Sequence, residues 1–350
     1  MAIPSSLSLS YDAVLSTTLF NYRRTLSDNI SKSNKFFYML KKTDGWKTVS
    51  ALGDRLQVPL MYELGTADSY SGYDQLDVTP MDGITSAFFD WRQASIPIAI
   101  SGMEEKKNTG EAQILNLLKS KVKQAELGLE DYFNKAVLQG NESTAITTAK
   151  TSALNGSVFV DPLPLLVTYD PTSSTSIGNI NQATYTWWAN QTKTSSGASY
   201  AAIEKELKSL YNLCSKGGGG APNMNLVDVN TYELYEAILA VKHRNLSYKE
   251  ADVPFDHVNF KGSPVFWDEY VPNASGATVT LSTTAGSWWM LNTQFLSMSI
   301  HAGTNFTPTP FVKPENQDAK VAHIMVIAAL AVSNRRKQGV AGAIDTTVTS

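Results

Sequence analysis

The residues of this 350-residue chain whose types suit chemistry are four histidines, one cysteine, adjacent acids, a run of four glycines and two tryptophan doublets. His243, His257, His301 and His323 are far apart, none has a partner one helical turn away, and no His-Glu-x-x-His occurs, so no pair is poised for zinc. Cys214 stands alone, which excludes an intrachain disulfide and a four-cysteine site, and it reads as a small buried hydrophobe on a helix. Glu104-Glu105 and Asp268-Glu269 are acid neighbours, but neighbours in a strand face opposite sides and cannot share a proton; Glu104-Glu105-Lys106-Lys107 reads as a solvated helix entry. Gly217–Gly220 lacks the Gly-Lys-Ser/Thr of a phosphate loop and follows a helix, so it reads as a flexible turn. No Gly-x-Ser-x-Gly elbow is present. Trp187-Trp188 and Trp288-Trp289 could stack bases or sugars, but without interleaved cations they read as core or interface packing. The expectation is no catalytic, metal or cofactor site.

Composition points to an ordinary folded protein, with 43% hydrophobic, 10% aromatic and 17% charged residues. The formal charge of -3 argues against tight nucleic-acid binding over the whole surface, though a weakly basic inner face is compatible with it. The N-terminus has no basic stretch followed by an apolar one, so no secretory signal is expected. The apolar run Val321–Val332 falls short of the roughly 18 residues of a membrane span.

What remains is a set of elements that cannot bury themselves. Residues 1–45 carry a helix-like, mildly basic segment (Leu19, Phe20, Tyr22, Arg23, Arg24) that reads as an arm packing on something else. Leu56, Val58, Leu60, Tyr62 and Leu64 then alternate with Arg55, Gln57, Pro59, Met61 and Glu63, the period of a strand. A return strand over 84–100 puts Ala87, Phe89 and Trp91 on one face and resumes with Ile96, Ile98 and Ile100 after a bulge near Asp90–Ala94. Between them lies a polar tip, Gly65–Gly83, with Tyr70 and Tyr73. An isolated two-stranded ribbon is marginal in water, so its apolar face is expected to lie under a neighbouring chain.

A long helix over 110–139 follows, capped by Asn108 or Thr109, with Ile114, Leu118, Val122, Ala125, Leu129, Tyr132 and Ala136 on its core face and Lys119, Lys123, Glu126, Glu130 and Asn134 opposite. Residues 141–199 read as loops with short strands, 200–213 and 232–242 as helices, 225–229 as a strand, and the C-terminal part as β-rich. Strand runs with isolated helices make the class α+β.

This order of parts resembles a tailed-phage major capsid protein with the Hong Kong 97 capsid fold. The residues that carry the resemblance are GDRLQVPLMYELG (53–65), the return strand running into the long helix (91–141), VDVNTYELYEAIL (227–239), FKGSPVFWDEYVPN (260–273), WMLNTQFLSMSIHAGTNFTPTPF (289–311) and VAHIMVIAALAVSNRRKQGVAG (321–342). It implies an N-terminal arm at 1–45, an extended E-loop with flanks at 46–90, a P-domain with a spine helix at 91–197, an A-domain at 198–287, a return through P-domain strands at 288–325, and an A-domain strand and tail at 326–350.

It also implies a non-enzymatic shell subunit, assembling as pentamers and hexamers locked by the E-loop and arm. The implied partners are a separate scaffolding protein, a portal, a possible decoration protein, and packaged double-stranded DNA touched weakly and without sequence preference. The implied location is the virion capsid, after synthesis in the host bacterial cytoplasm. Some members cross-link through an E-loop lysine; the tip at 65–83 has none, so no covalent seam is expected, although Lys47 stands near the ribbon base. Two other readings stay open: an encapsulin-like compartment shell, and a Ser/Thr-rich hydrolase or surface binding module.

Overall fold

A computed structural model of the chain describes residues 35–107, 117–139, 160–241, 258–271 and 285–348, apart from breaks at 44, 51–52, 66, 76–78, 80–81, 196, 198 and 316, together with strand pairs at 274–275 and 278–279. The arm residues Leu19, Phe20, Tyr22, Arg23 and Arg24, the expected helix caps, and Ile114 lie outside the described residues.

In chain order the elements are α1 (Lys35–Lys42), β1 (Trp46–Val49), β2 (Leu56–Met61), β3 (Ile84–Phe89), β4 (Arg92–Ser101), α2 (Gly102–Lys107) and α3 (Leu117–Leu138). Then come α4 (Leu163–Leu166), β5 (Ser176–Ile177), β6 (Ile180–Asn181), β7 (Gln191–Thr194), α5 (Tyr200–Ser215), β8 (Met224–Val227), α6 (Val229–Val241), β9 (Val258–Phe260) and β10 (Ser263–Trp267). The chain finishes with β11 (Ala274–Ser275), β12 (Thr278–Val279), β13 (Ala285–Leu291), β14 (Leu296–His301), β15 (Thr307–Pro308), β16 (Ala319–Val332) and β17 (Gly339–Asp345). Two compact units result: the smaller takes in Ser95–Asp131 and Phe306–Met325, and the larger Asn34–Ala94, Tyr132–Asn305 and Val326–Ser350.

The larger unit is built on a mixed six-stranded sheet in the order β7-β17-β13-β8-β10-β9. Its central strand β13 is apolar at successive positions, and Trp288, Trp289, Met290 and Leu291 are all fully buried. Successive strand residues point to opposite faces, so this run requires cover on both sides. On one face Trp288 and Met290 join Ile203, Leu207, Leu210 and Cys214 of α5 and Tyr235, Ile238 and Leu239 of α6 in one core cluster. On the other, Trp289 meets Tyr169 edge to face, ring centres 5.3 Å apart. The cysteine is thus the structural hydrophobe its isolation suggested, and burial pushes its thiol up to about 12.

Helices α5 and α6 both start on side-chain caps. Ser199 Oγ accepts from Ala202 N at 3.4 Å. Asp228 accepts from Thr231 N, the Thr231 hydroxyl and Ser287 N at 3.2, 2.6 and 2.8 Å, tying the α6 entry to β13. The expected domain limits at 197 and 287 fall within this architecture: β7 precedes the first and β13 spans the second. The sheet is completed by strands from both sides of the segment expected to hold it.

One turn joins several stretches. Between β16 and β17 lies a 3-10 turn, Arg335–Lys337. Arg335 is 0% exposed and its guanidinium donates to Leu166 O, Trp188 O, Gln182 Oε1 and Asn190 Oδ1 at 2.7–3.0 Å. Lys337 Nζ donates to the carbonyls of Lys216, Gly217 and Gly220 at 3.1–3.2 Å. Gln338 exchanges two hydrogen bonds with the Asn292 backbone. The glycine run is therefore a pinned turn, in contrast to the flexible one expected. Gly217, Gly219 and Gly220 all have positive φ, and a Cβ on Gly219 would fall 2.5 Å from Phe295 Cζ.

In the same unit β14 pairs in parallel with β1 and antiparallel with the C-terminal half of β16, Leu296 opposite Val332. Helix α1 buries Phe36, Phe37, Met39 and Leu40. Phe37 stacks on Phe133, ring centres 5.7 Å apart, and Lys35 Nζ sits 3.8 Å over the Trp267 ring. In the smaller unit β15 pairs with the N-terminal half of β16, and β4 buries Ile98 and Ile100. Ile96 Cδ1 lies 3.3 Å from where a Gly128 Cβ would stand, so α3 approaches this strand at a glycine. Lys121 donates to Ala99 O at 3.1 Å and Glu104 at 2.8 Å, and this bond holds the Glu104 carboxyl below its ordinary value.

The described part of the long helix, 22 residues, spans roughly 33 Å. Val122 is half-buried, and Ala125 and Leu129 are buried, but Tyr132 is 44% exposed, which corrects its assignment to the core face. The inward stripe steps by four from Leu129 to Phe133, 1% exposed. Asn134, expected on the outer face, is buried and donates to the Asp268 carboxylate at 3.3–3.4 Å. Leu129→Asp should abolish soluble expression, whereas Tyr132→Asp should change unfolding free energy by no more than about 1 kcal/mol, measured by urea denaturation. A tolerated Leu129→Asp would place the wrong face inward.

Candidate assembly surface

Strands β2 and β3 form a two-stranded antiparallel ribbon, registered from Leu56 opposite Phe89 to Met61 opposite Ile84. Its hydrogen bonding continues one step outward, with Tyr62 N donating to Gly83 O at 2.9 Å and the Tyr62 hydroxyl to Asp82 O. Period-two alternation divides the ribbon into two faces. One carries Leu56, Val58, Leu60, Ala87 and Phe89, and the other Met61, Ile84 and Phe88.

The first face rests on the protein's own segment 176–188. Leu60, Ala87 and Phe89 are buried, while Leu56 and Val58 are half-buried. Phe88 N donates to Gly178 O at 3.2 Å. Gly178, at φ +62°, lies under Ala87 and Phe89: a Cβ there would stand 2.8 Å from Ala87 Cβ. The Tyr62 ring stacks on Trp187, centres 5.2 Å apart and planes 18° apart. The expectation that this face is covered by a neighbouring chain is therefore corrected for Leu60, Tyr62 and Phe89. The close approach at Gly178 lets the same chain supply the cover.

What stays open is the second face and the tip. Met61 and Ile84 are 72% and 71% exposed, Phe88 is 37% exposed, and Leu64, Tyr70 and Tyr73 are exposed at the tip. Trp91 is half-buried in the link to β4. Met61, Ile84 and Phe88 were not among the residues read as contacts, because strict alternation assigned their face to solvent. The signal lay in Leu60-Met61 and Phe88-Phe89, apolar doublets that give a ribbon two apolar faces. From Leu56 to Trp91 the chain has six carboxylates (Glu63, Asp68, Asp74, Asp77, Asp82, Asp90) and no lysine or arginine, which excludes the ribbon as a phosphate-binding surface.

The foot of the ribbon is ionic. Asp90 receives Arg55 at 3.1 Å and Arg92 at 3.2 Å. Nearby Asp161 is 7% exposed, and its Oδ1 has no hydrogen-bond partner. Burial raises the Asp161 carboxyl to about 7, opposed by Arg92 and assisted by Asp90. Among the described residues no three His, Cys, Asp or Glu groups converge to hold a metal ion, and no helix is long and apolar enough to cross a membrane.

The chain has the Hong Kong 97-like capsid fold, as its likeness to solved capsid structures shows. Solved structures that share it over nearly the whole length include a cyanophage A-1(L) capsid (TM-score 0.65, 14% identity, 93% of this chain and 97% of that one). Others are the holo-SrpI encapsulin complex of Synechococcus elongatus PCC 7942 (0.59, 10%, 97% and 98%) and the capsid of an empty GTA particle (0.57, 11%, 98% and 100%). No protein-family model and no curated protein matches the sequence.

Asp161 gives the ribbon foot a pH dependence. Its carboxyl keeps a proton in the folded protein up to a pH of about 7, whereas in the unfolded chain it ionises near its ordinary value of 3.8. Between those values the folded state binds the extra proton, so stability falls as pH rises, by up to about 1.4 kcal/mol per pH unit. Asp161→Asn should therefore leave stability near pH 4 almost unchanged and raise it at pH 8, as read by urea denaturation at the two pH values. An equal effect at both would show that Asp161 is ionised throughout.

Proposed function

We propose that this chain is the major capsid protein of a tailed bacteriophage, a subunit that assembles as pentamers and hexamers into a closed icosahedral shell around DNA. The observation that carries this reading is the ribbon: a two-stranded projection with Met61, Ile84, Leu64, Tyr70 and Tyr73 in solvent is a poor feature for a lone monomer and a suitable one for a subunit covered by its neighbours. The fold shared with phage capsids supports it.

In this reading the ribbon lies across an adjacent subunit and the arm around Leu19–Arg24 embraces another. Many moderate contacts, rather than a bond, hold the shell, since the tip at 65–83 has no lysine for a cross-link. The role is structural, without catalysis. A separate scaffolding protein, a portal and, where present, a decoration protein complete the particle. DNA is touched weakly on the inner side; the protein is made in the host bacterial cytoplasm and resides in the virion.

The structural likeness to an encapsulin favours a second reading, a cellular compartment shell enclosing protein in place of a genome. Nucleic-acid content of particles purified from their natural source separates the two.

Deleting residues 65–83 should leave a cooperatively unfolding body and abolish closed shells and capsomer rings under electron microscopy, with scaffold supplied if the intact chain requires it. Normal shells from the deletion would remove the ribbon from the assembly mechanism. A monomer from the intact chain under every condition would overturn the capsid reading itself.

A further inference from the structure

We infer that Arg335 is the positioning residue of the ribbon, acting through the irregular segment 163–190 on which the ribbon rests. The inference builds on the reading of the ribbon as the assembly arm. Segment 163–190 has little regular structure: a four-residue helix, two two-residue strands and a three-residue 3-10 turn. Side chains hold its shape. Asn190 bridges to both the N–H and the carbonyl of Thr168, at 3.1 and 2.8 Å. Gln182 donates to Asp170 O and Ser173 Oγ, and Trp188 Nε1 donates to Ile177 O.

Gln182, Asn190 and Trp188 also converge on one group. The Arg335 guanidinium takes the Gln182 and Asn190 oxygens on Nη2, the Trp188 carbonyl on Nη1 and the Leu166 carbonyl on Nε, and lies 5.8 Å from the Trp188 ring centre. All four acceptors are uncharged, so the planar fork, with its fixed donor directions, is the property being used. A lysine could not reproduce it.

The ribbon's attachments return to the same segment: Phe88 N to Gly178 O, Ala87 and Phe89 over Gly178, and Tyr62 on Trp187. Trp187 is the residue next to Trp188, whose carbonyl and ring both meet Arg335. Lys337, two residues on, provides an internal control. It too is nearly inaccessible and bonds three carbonyls, although at a less enclosed site, and these belong to the turn at 216–220.

The test is amide hydrogen exchange on the full-length unassembled protein, followed by assembly under the conditions that give shells from the unaltered chain. Arg335→Lys should speed exchange of Phe88 and the other ribbon amides by about tenfold or more while amides of β13 and β17 stay within about twofold, because a local anchor governs local opening. Lys337→Met should leave ribbon exchange unchanged. If Arg335→Lys does not fold, Gln182→Met, which removes one acceptor and its link to 170–173, is judged by the same criterion. Unchanged ribbon exchange in a folded Arg335→Lys or Gln182→Met protein overturns the inference, as does equal loosening of β13. Loosened ribbon amides with a sharp loss of shells is the expected result. Loosened amides with normal shells would leave Arg335 as the anchor and overturn the ribbon's role in assembly.

Discussion

The fully buried guanidinium of Arg335 is the constraint on which the loops beneath the ribbon depend. Burying a cation is costly unless each donor finds an acceptor. Arg335 meets that cost with backbone carbonyls and side-chain amides, and burial lowers its own proton affinity, to about 9. It still carries its charge at neutral pH. Removing the side chain would take this donor from two buried carbonyls and the Gln182 amide oxygen, while Asn190 Oδ1 would keep only Thr168 N. The group is therefore intolerant of change, and so is the shape of the loops that supply its acceptors. Lys337 extends the principle, so that one short turn between β16 and β17 reaches partners more than a hundred residues away in the chain, and Gln338 adds Asn292.

From that turn the structure can be followed outward by contact. The loops fixed by Arg335 carry Gly178 and Trp187; these carry the inner face of the ribbon; the ribbon presents its second face and its tyrosine tip to solvent. The two faces of the ribbon accordingly lie in different surroundings. Its own chain covers one side, with small residues allowing close approach. The other side keeps apolar groups in solvent, beside the carboxylates of the ribbon and its tip.

Much of this was legible in the sequence, and where it was not the reason is physical. Alternation is a local property, so the strand character of β2, β3 and β4 is legible, but the bulge expected near Asp90–Ala94 is a break between two sheets, with β3 paired to β2 and β4 to β16. The start of helix α5 at Tyr200 is legible from the spacing of Ile203, Leu207, Leu210 and Leu213, and the structure adds the Ser199 cap. The ribbon's own-chain cover was not readable, since it depends on a glycine about ninety residues distant. Tyr132 and Phe133 are adjacent aromatics, and a helix with 3.6 residues per turn lets either continue the stripe; tertiary packing chose Phe133. In Asn334-Arg335-Arg336-Lys337-Gln338 nothing local distinguishes the cations that go inside from the one that does not. Buried charge follows from acceptors supplied elsewhere in the chain.

Proline placement bears on the time before any partner is met. Pro59 lies within β2, and β15, at the end of its sheet path, contains Pro308 and is followed by Pro310. Proline offers no N–H, so it interrupts the row of donors that would let a strange strand zip onto an exposed edge. Backbone pairing is thereby interrupted along β2 and β15, while their exposed side chains remain open to contact.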